Sequence, residues 1–122
     1  MNGLAFDSVK HLLEALRSGE MVVVSDDEHN GEGSLLMAAN HADATAVTFM
    51  AVQARGLICL ALTQEHSRRL GLELMVPNSR AAHGMGYTYS IEAATGVSTG
   101  ISAADRARSI QVAVDPASGP SD

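Results

Sequence analysis

Met21-Val-Val-Val-Ser-Asp-Asp-Glu-His-Asn-Gly-Glu-Gly-Ser34 begins with four apolar residues, passes through ten polar or glycine positions and is followed by the apolar run Leu35-Leu-Met-Ala-Ala39. A short β-branched run bounded by polar residues has the pattern of a buried strand. Residues 21–24 are therefore expected as a strand, with residues 25–34 as a loop at its end. That loop carries four carboxylates (Asp26, Asp27, Glu28 and Glu32), the imidazole of His29 and two glycines. Such a cluster serves either as an acid/base and metal-binding loop or as a solvated polar turn. Its composition alone does not choose between them.

On the N-terminal side, Asp7 or Ser8 can cap a helix whose apolar positions Val9, Leu12, Leu13 and Leu16 fall on one face, with Gly19 closing it. On the C-terminal side, Ala46, Val47, Met50 and Ala54 predict a helix over residues 43–54, broken by Gly56. A strand is expected at residues 57–62, then a short helix at residues 64–70 between a Thr63 cap and Gly71. Residues 75–86 are punctuated by Pro and Gly as a loop, and the alternation at residues 87–92 predicts a half-buried strand. Ser102 with Asp105 three residues later resembles a capping box, opening a helix that runs to about Gln111. Residues 115–122 are rich in Pro, Gly and Ser and read as a polar linker. Alternating helices and strands without a glycine-rich phosphate loop predict an α+β, layered α/β fold. The expected organisation is a single domain over residues 1–114 with a polar tail at residues 115–122.

The chain of 122 residues suffices for one core. With two Phe, two Tyr and no Trp, that core must be built from Leu, Val, Ile, Met and Ala. A net charge of -6 argues against nucleic-acid binding, which needs clustered cations against phosphates. The single cysteine, Cys59, excludes an internal disulfide framework and fits a reducing compartment. No apolar stretch approaches the roughly 20 residues of a membrane span, and no signal-peptide pattern opens the sequence. A cytoplasmic protein without membrane partners is expected.

Several blocks come in a fixed order: Met21-Val-Val-Val-Ser-Asp-Asp-Glu28, Glu32-Gly33, Gly56-Leu-Ile-Cys-Leu-Ala-Leu-Thr63, Met75-Val-Pro-Asn78, Thr88-Tyr-Ser-Ile-Glu-Ala-Ala94 and Gly96-Val-Ser-Thr-Gly-Ile-Ser-Ala-Ala-Asp-Arg106. This succession resembles the 3,4-dihydroxy-2-butanone 4-phosphate synthase family, which supplies the four-carbon unit of riboflavin. The last block is the most specific. The resemblance covers the chain but only the N-terminal part of what the family carries, so the implied fold is that of the synthase, truncated at the C-terminal side. It implies a lyase that enolises ribulose 5-phosphate, shifts its carbon skeleton and expels C4 as formate. Each step moves protons beside a carbonyl or enediol, and Mg²⁺ or Mn²⁺ is expected as the cation polarising the substrate oxygens.

The acidic loop of the family reads approximately D-D-E-D-R-E-N-E-G-D. Aligned on Glu32-Gly33, this chain has His29 for the arginine, Asn30 for a metal-binding glutamate and Ser34 for the closing aspartate. Asp27, Glu32, His29 and Cys59 are the implied catalytic positions. Asn30, Ser34, Arg55, Thr99 and Ser102 are the implied substrate-binding ones, Thr99 and Ser102 towards the phosphate. A neutral amide is a poor substitute for a carboxylate on Mg²⁺, and a neighbouring imidazole shifts preference towards Mn²⁺ or Zn²⁺. Loss of the standard activity from this chain alone is therefore expected. The alternatives are a small lyase, isomerase or cyclase repurposed for secondary metabolism, or a non-catalytic binding subunit. The other expected partners are a small-molecule ligand and a second copy of the chain in a homodimer. Cys59 on its apolar run is otherwise an ordinary buried thiol, Arg55 a surface residue, and His83 a solvated loop residue.

Overall fold

The computed structural model describes residues 6–26, 32–77 and 86–122. Helix α1 (Val9–Arg17) starts at Ser8, whose hydroxyl accepts from the His11 N–H at 3.3 Å. It is left through Gly19 at φ +86°, where the His41 ring packs so closely that a Cβ would meet it at 3.0 Å. Both the sign of φ and the lack of space require glycine there.

The strand expected at residues 21–24 is β1 (Val22–Asp26), paired antiparallel with β2 (Glu32–Leu36) in the register Val22↔Leu36, Val24↔Ser34 and Asp26↔Glu32. Ladder hydrogen bonding carries both strands into the polar sequence, so the acidic loop is shorter than its composition suggests. Only Val22 of the apolar run is buried; Val23, on the opposite face, and Val24, further along the same face, are exposed.

A 3-10 turn (Ala39–His41) leads to α2 (Ala44–Phe49), capped by Asp43, whose carboxylate accepts from Ala46 N–H at 2.7 Å. The helix continues as a π-helical turn (Met50–Ala54) and ends one residue before the expected glycine, with Arg55 in the left-handed region at φ 59°. The strand expected at residues 57–62 does not form: no neighbouring backbone pairs with it among the described residues, and Leu57 is 83% exposed. Helix α3 (Gln64–Arg69) follows its Thr63 cap as expected and leaves through Gly71 at φ +68°. The strand expected at residues 87–92 is reduced to one antiparallel bridge, Leu74↔Thr88, and Tyr87, Tyr89 and Ile91 are exposed. Alternation supplies a side-chain pattern, but a strand exists only where a partner completes its hydrogen bonds.

Helix α4 (Ala103–Val114) runs about one turn beyond the expected end. It packs against α2 and the 3-10 turn, burying Ala42, Val47, Ala107 and Ala113. Small residues allow these helices to approach closely, and Gln111 donates its Nε2 protons to Ala39 O (3.1 Å) and Ala42 O (2.7 Å). Residues 115–122, read as a linker, lie against α3: the Arg69 guanidinium donates to the carbonyls of Pro116 and Ser118, and Pro120 packs on Gly71. Ala94 N–H donates to Asp122 O at 2.6 Å. Among the described residues no helix is long and apolar enough to cross a membrane.

Val47 is 1% exposed and sits at the centre of the α2–α4 contact. Val47→Ala is expected to destabilise the fold by about 2 kcal/mol through lost burial and a residual cavity, read as a lower urea midpoint with an unchanged slope.

Candidate functional site

The acidic hairpin end is built by the ladder. Glu32 opposes Asp26 and Ser34 opposes Val24. Strand alternation sets the Glu32 and Ser34 side chains on one face, and both are exposed. Asp27, His29 and Asn30, which the sequence assigns to this site, lie outside the described residues, as does His83. Arg55 closes the π-helical turn that packs on β2, but its Nε donates to Val52 O at 3.2 Å, holding the guanidinium to its own helix. Cys59 is exposed, contrary to the expectation of a buried thiol, because its segment has no covering strand among the described residues.

The second cluster surrounds the N-terminus of α4. Ser102 is its cap, the hydroxyl accepting from Asp105 N–H at 3.0 Å. The Asp105 carboxylate turns back and accepts from the N–H groups of Ser98 (3.2 Å), Thr99 (3.1 Å) and Gly100 (3.1 Å) and from the Ser98 hydroxyl (2.9 Å). The Thr99 hydroxyl accepts from Ile101 N–H at 3.4 Å. Thr99 and Ser102 are thus oriented through their acceptor lone pairs, and each keeps an O–H to donate. From the other side the Glu92 carboxylate lies directly over Gly100, at φ +75°, where a Cβ would overlap it.

Sequence reasoning saw Asp105 only as a capping partner. Its role in holding three successive N–H groups, and the approach of Glu92, needed the turn between them. The available signal was the glycine at position 100, a residue suited to positive φ beside a polar run. The structure brings Thr99 and Ser102 together through Asp105, and Glu32 and Ser34 along one strand. No hydrogen bond or ion pair among the described residues joins these two groups, or joins either to Cys59 or Arg55. Among the described residues no three His, Cys, Asp or Glu side chains converge on a position that could hold a metal. Two surface hollows, one on α2 beside Phe49 and Val52 and one between Arg108, Gln111 and Asp122, contain none of the expected site residues.

Asp105 is buried, and desolvation alone would raise its pKa. The hydrogen bonds from Ser98 and Thr99 outweigh that effect and hold the carboxyl below its ordinary value. A lowered folded-state pKa gives stability that is present above the unfolded value of about 4 and is lost as pH falls through the folded value. Asp105→Asn is therefore expected to lower the urea midpoint at pH 7, and the gap from wild type should narrow below about pH 4. A gap independent of pH would show that the carboxylate charge does not hold the turn.

Residues 10–122 match the family model of 3,4-dihydroxy-2-butanone 4-phosphate synthase. A synthase of that name from Pseudomonas syringae pv. tomato is 53% identical over 120 residues, which are 98% of this chain and 32% of the relative. One from Klebsiella pneumoniae subsp. pneumoniae is 42% identical over 121 residues, 98% of this chain and 56% of the relative. Among solved structures, a two-domain 3,4-dihydroxy-2-butanone 4-phosphate synthase from A. baumannii is similar at 44% identity and TM-score 0.84, over 95% of this chain and 34% of that one. A synthase in complex with two magnesium ions is similar at 36% identity and TM-score 0.89, over 95% of this chain and 55% of that one. The chain thus spans from about a third to just over half the length of these relatives. With its α+β fold shared at this level, the chain belongs to the 3,4-dihydroxy-2-butanone 4-phosphate synthase family.

Proposed function

We propose that the protein acts in the family's reaction, converting ribulose 5-phosphate to 3,4-dihydroxy-2-butanone 4-phosphate and formate. The observation that carries this reading is the Asp105-braced turn, which orients the Thr99 and Ser102 hydroxyls as donors suited to phosphate oxygens. Relatives at 40–53% identity bear the synthase name, which supports the ordinary reaction over the loss of activity that the loop substitutions suggest. Glu32, exposed at the hairpin end, is suited to exchange protons with a carbonyl-adjacent carbon.

Magnesium, present as two ions in a solved relative, would polarise the substrate oxygens. The described residues do not complete a site for it, since no two further His, Cys, Asp or Glu side chains join Glu32. No proton transfer is therefore assigned through the metal. The exposed apolar side chains of Val23, Leu57 and Ile91 support a homodimer as part of this proposal. Sedimentation is expected to give a species of twice the 12.7 kDa chain mass.

The decisive experiment measures formate released from ribulose 5-phosphate with Mg²⁺. Wild-type protein is expected to release formate in proportion to enzyme. Restoring the family loop by His29→Arg, Asn30→Glu and Ser34→Asp together is expected to raise the rate at least about tenfold, the scale of a positioned acid/base group. Formate at background from both proteins would overturn the proposal. Binding of ribulose 5-phosphate without turnover would then favour a repurposed pocket.

A further inference from the structure

The carbonyl oxygens at the C-terminal end of α4 do not all find backbone donors. Asp115 N–H turns to Val112 O at 3.2 Å, Pro116 has no N–H, and Ala117 N–H is taken by the Asp115 carboxylate at 2.8 Å. Ser118 N–H goes to Asp115 O at 3.1 Å. Ala113 O is therefore left to a side chain, and Ala113 is buried, where a carbonyl needs a donor. His66 on α3 lies at hand, its Nε2 2.7 Å from that oxygen. The same Nε2 lies 2.7 Å from Arg69 Nη2. Arg69 in turn donates through Nη1 to the carbonyls of Asp115 (3.4 Å), Pro116 and Ser118 (3.1 Å), which seats the start of the tail.

One ring nitrogen thus stands between a carbonyl acceptor and a cationic donor. A neutral imidazole has one N–H and one bare nitrogen, so its tautomers can meet either neighbour, and neither sets charge against charge. An imidazolium donates from both nitrogens. It keeps the Ala113 carbonyl, at the end of α4 where the helix dipole favours a cation, and it faces the Arg69 guanidinium as a like charge. Arginine stays protonated throughout, so the pair cannot relax by moving a proton. The surrounding charges do not offset this repulsion. Asp115 at the end of α4 is turned to Ala117 N–H, Asp122 in the tail accepts from Gly119 N–H at 2.9 Å, and Glu65 on α3 is exposed. Among the described residues none of the three forms an ion pair with His66 or Arg69. Arg68 on α3, and Arg108 on α4, which lines the hollow beside Asp115 and Ser118, add only positive charge.

We propose that His66 and Arg69 form a pH-sensitive latch on the tail. With His66 neutral, Arg69 stays on the carbonyls of residues 115–118 and the tail is docked. Protonation of the ring keeps the His66 contact to Ala113 O, expels the guanidinium and frees those carbonyls. The docked state therefore belongs to the higher pH and the released state to the lower, across the interval in which histidine side chains ordinarily change charge. Release also bears on the segment before the Asp105-braced turn, because Asp122 O in the same tail accepts from Ala94 N–H.

The test follows the backbone amides of Ala117, Ser118 and Gly119 by two-dimensional NMR from about pH 8 to about pH 5.5. That range spans histidine titration and stays above that of ordinary carboxylates. In the wild type the three amides are expected to move on one curve with the His66 ring signals, and their heteronuclear NOE should fall at the acid end. His66→Gln offers Ala113 O a donor and Arg69 an acceptor at every pH. It is expected to lose the response and keep the tail docked. Arg69→Gln is expected to show the released tail at both ends of the range, with the Val47 methyl signals of the core unchanged. A wild-type tail that stays docked at acid pH would overturn the proposal. So would a response that survives in His66→Gln, which retains His11 and His41 as other sources of titration, or a tail still docked in Arg69→Gln.

Discussion

The Asp105 carboxylate, folded back over the three N–H groups of Ser98, Thr99 and Gly100, holds together the part of this chain that most resembles a binding site. Without it three successive N–H donors of the turn would lose the acceptor they share. With it, the turn and the first coil of α4 become one rigid unit, because the same residue gives its own N–H to the Ser102 cap. The carboxylate also uses up the backbone donors that could otherwise hold an external anion.

That unit is fixed to the rest of the molecule through α4. Ala107 and Ala113 let α4 lie close to α2, where Val47 fills the contact, and Gln111 ties it to the 3-10 turn. At its far end, His66 Nε2 lies 2.7 Å from Ala113 O and 2.7 Å from Arg69 Nη2. One ring nitrogen cannot donate to the carbonyl and accept from the guanidinium together, so the tautomer decides which contact holds. Arg69 also gathers the carbonyls after the helix, so the polar tail is seated rather than trailing.

Helix starts and stops were legible because they are local events. Ser8, Thr63 and Ser102 each place a hydroxyl within reach of an N–H three residues on, while Gly19 and Gly71 take the positive φ that ends a helix. Arg55 shows the limit: it adopts the left-handed conformation itself at φ 59°, with Val52 O held by its side chain, so the neighbouring glycine was not needed. The strands were less legible. Apolar runs at residues 57–62 and 87–92 have the right side chains, but their hydrogen bonds depend on a partner that the run does not specify. Glu32 and Ser34 were expected as site residues from their position in the acidic loop, whereas their common face came from a register that extends β2 into polar sequence.

By itself the sequence determined the helices, their caps, the specific Gly96–Arg106 block and hence the family, because these depend on residues within one or two turns of each other or on matching order. Only the tertiary structure decided that Asp105 braces the turn, that Glu92 covers Gly100, that Arg106 Nε is sealed without an acceptor among the described residues and that the tail docks on Arg69. Each of these is an accounting of polar groups in three dimensions. Sequence spacing names the donors and acceptors, but packing decides which of them meet and which are sealed from water.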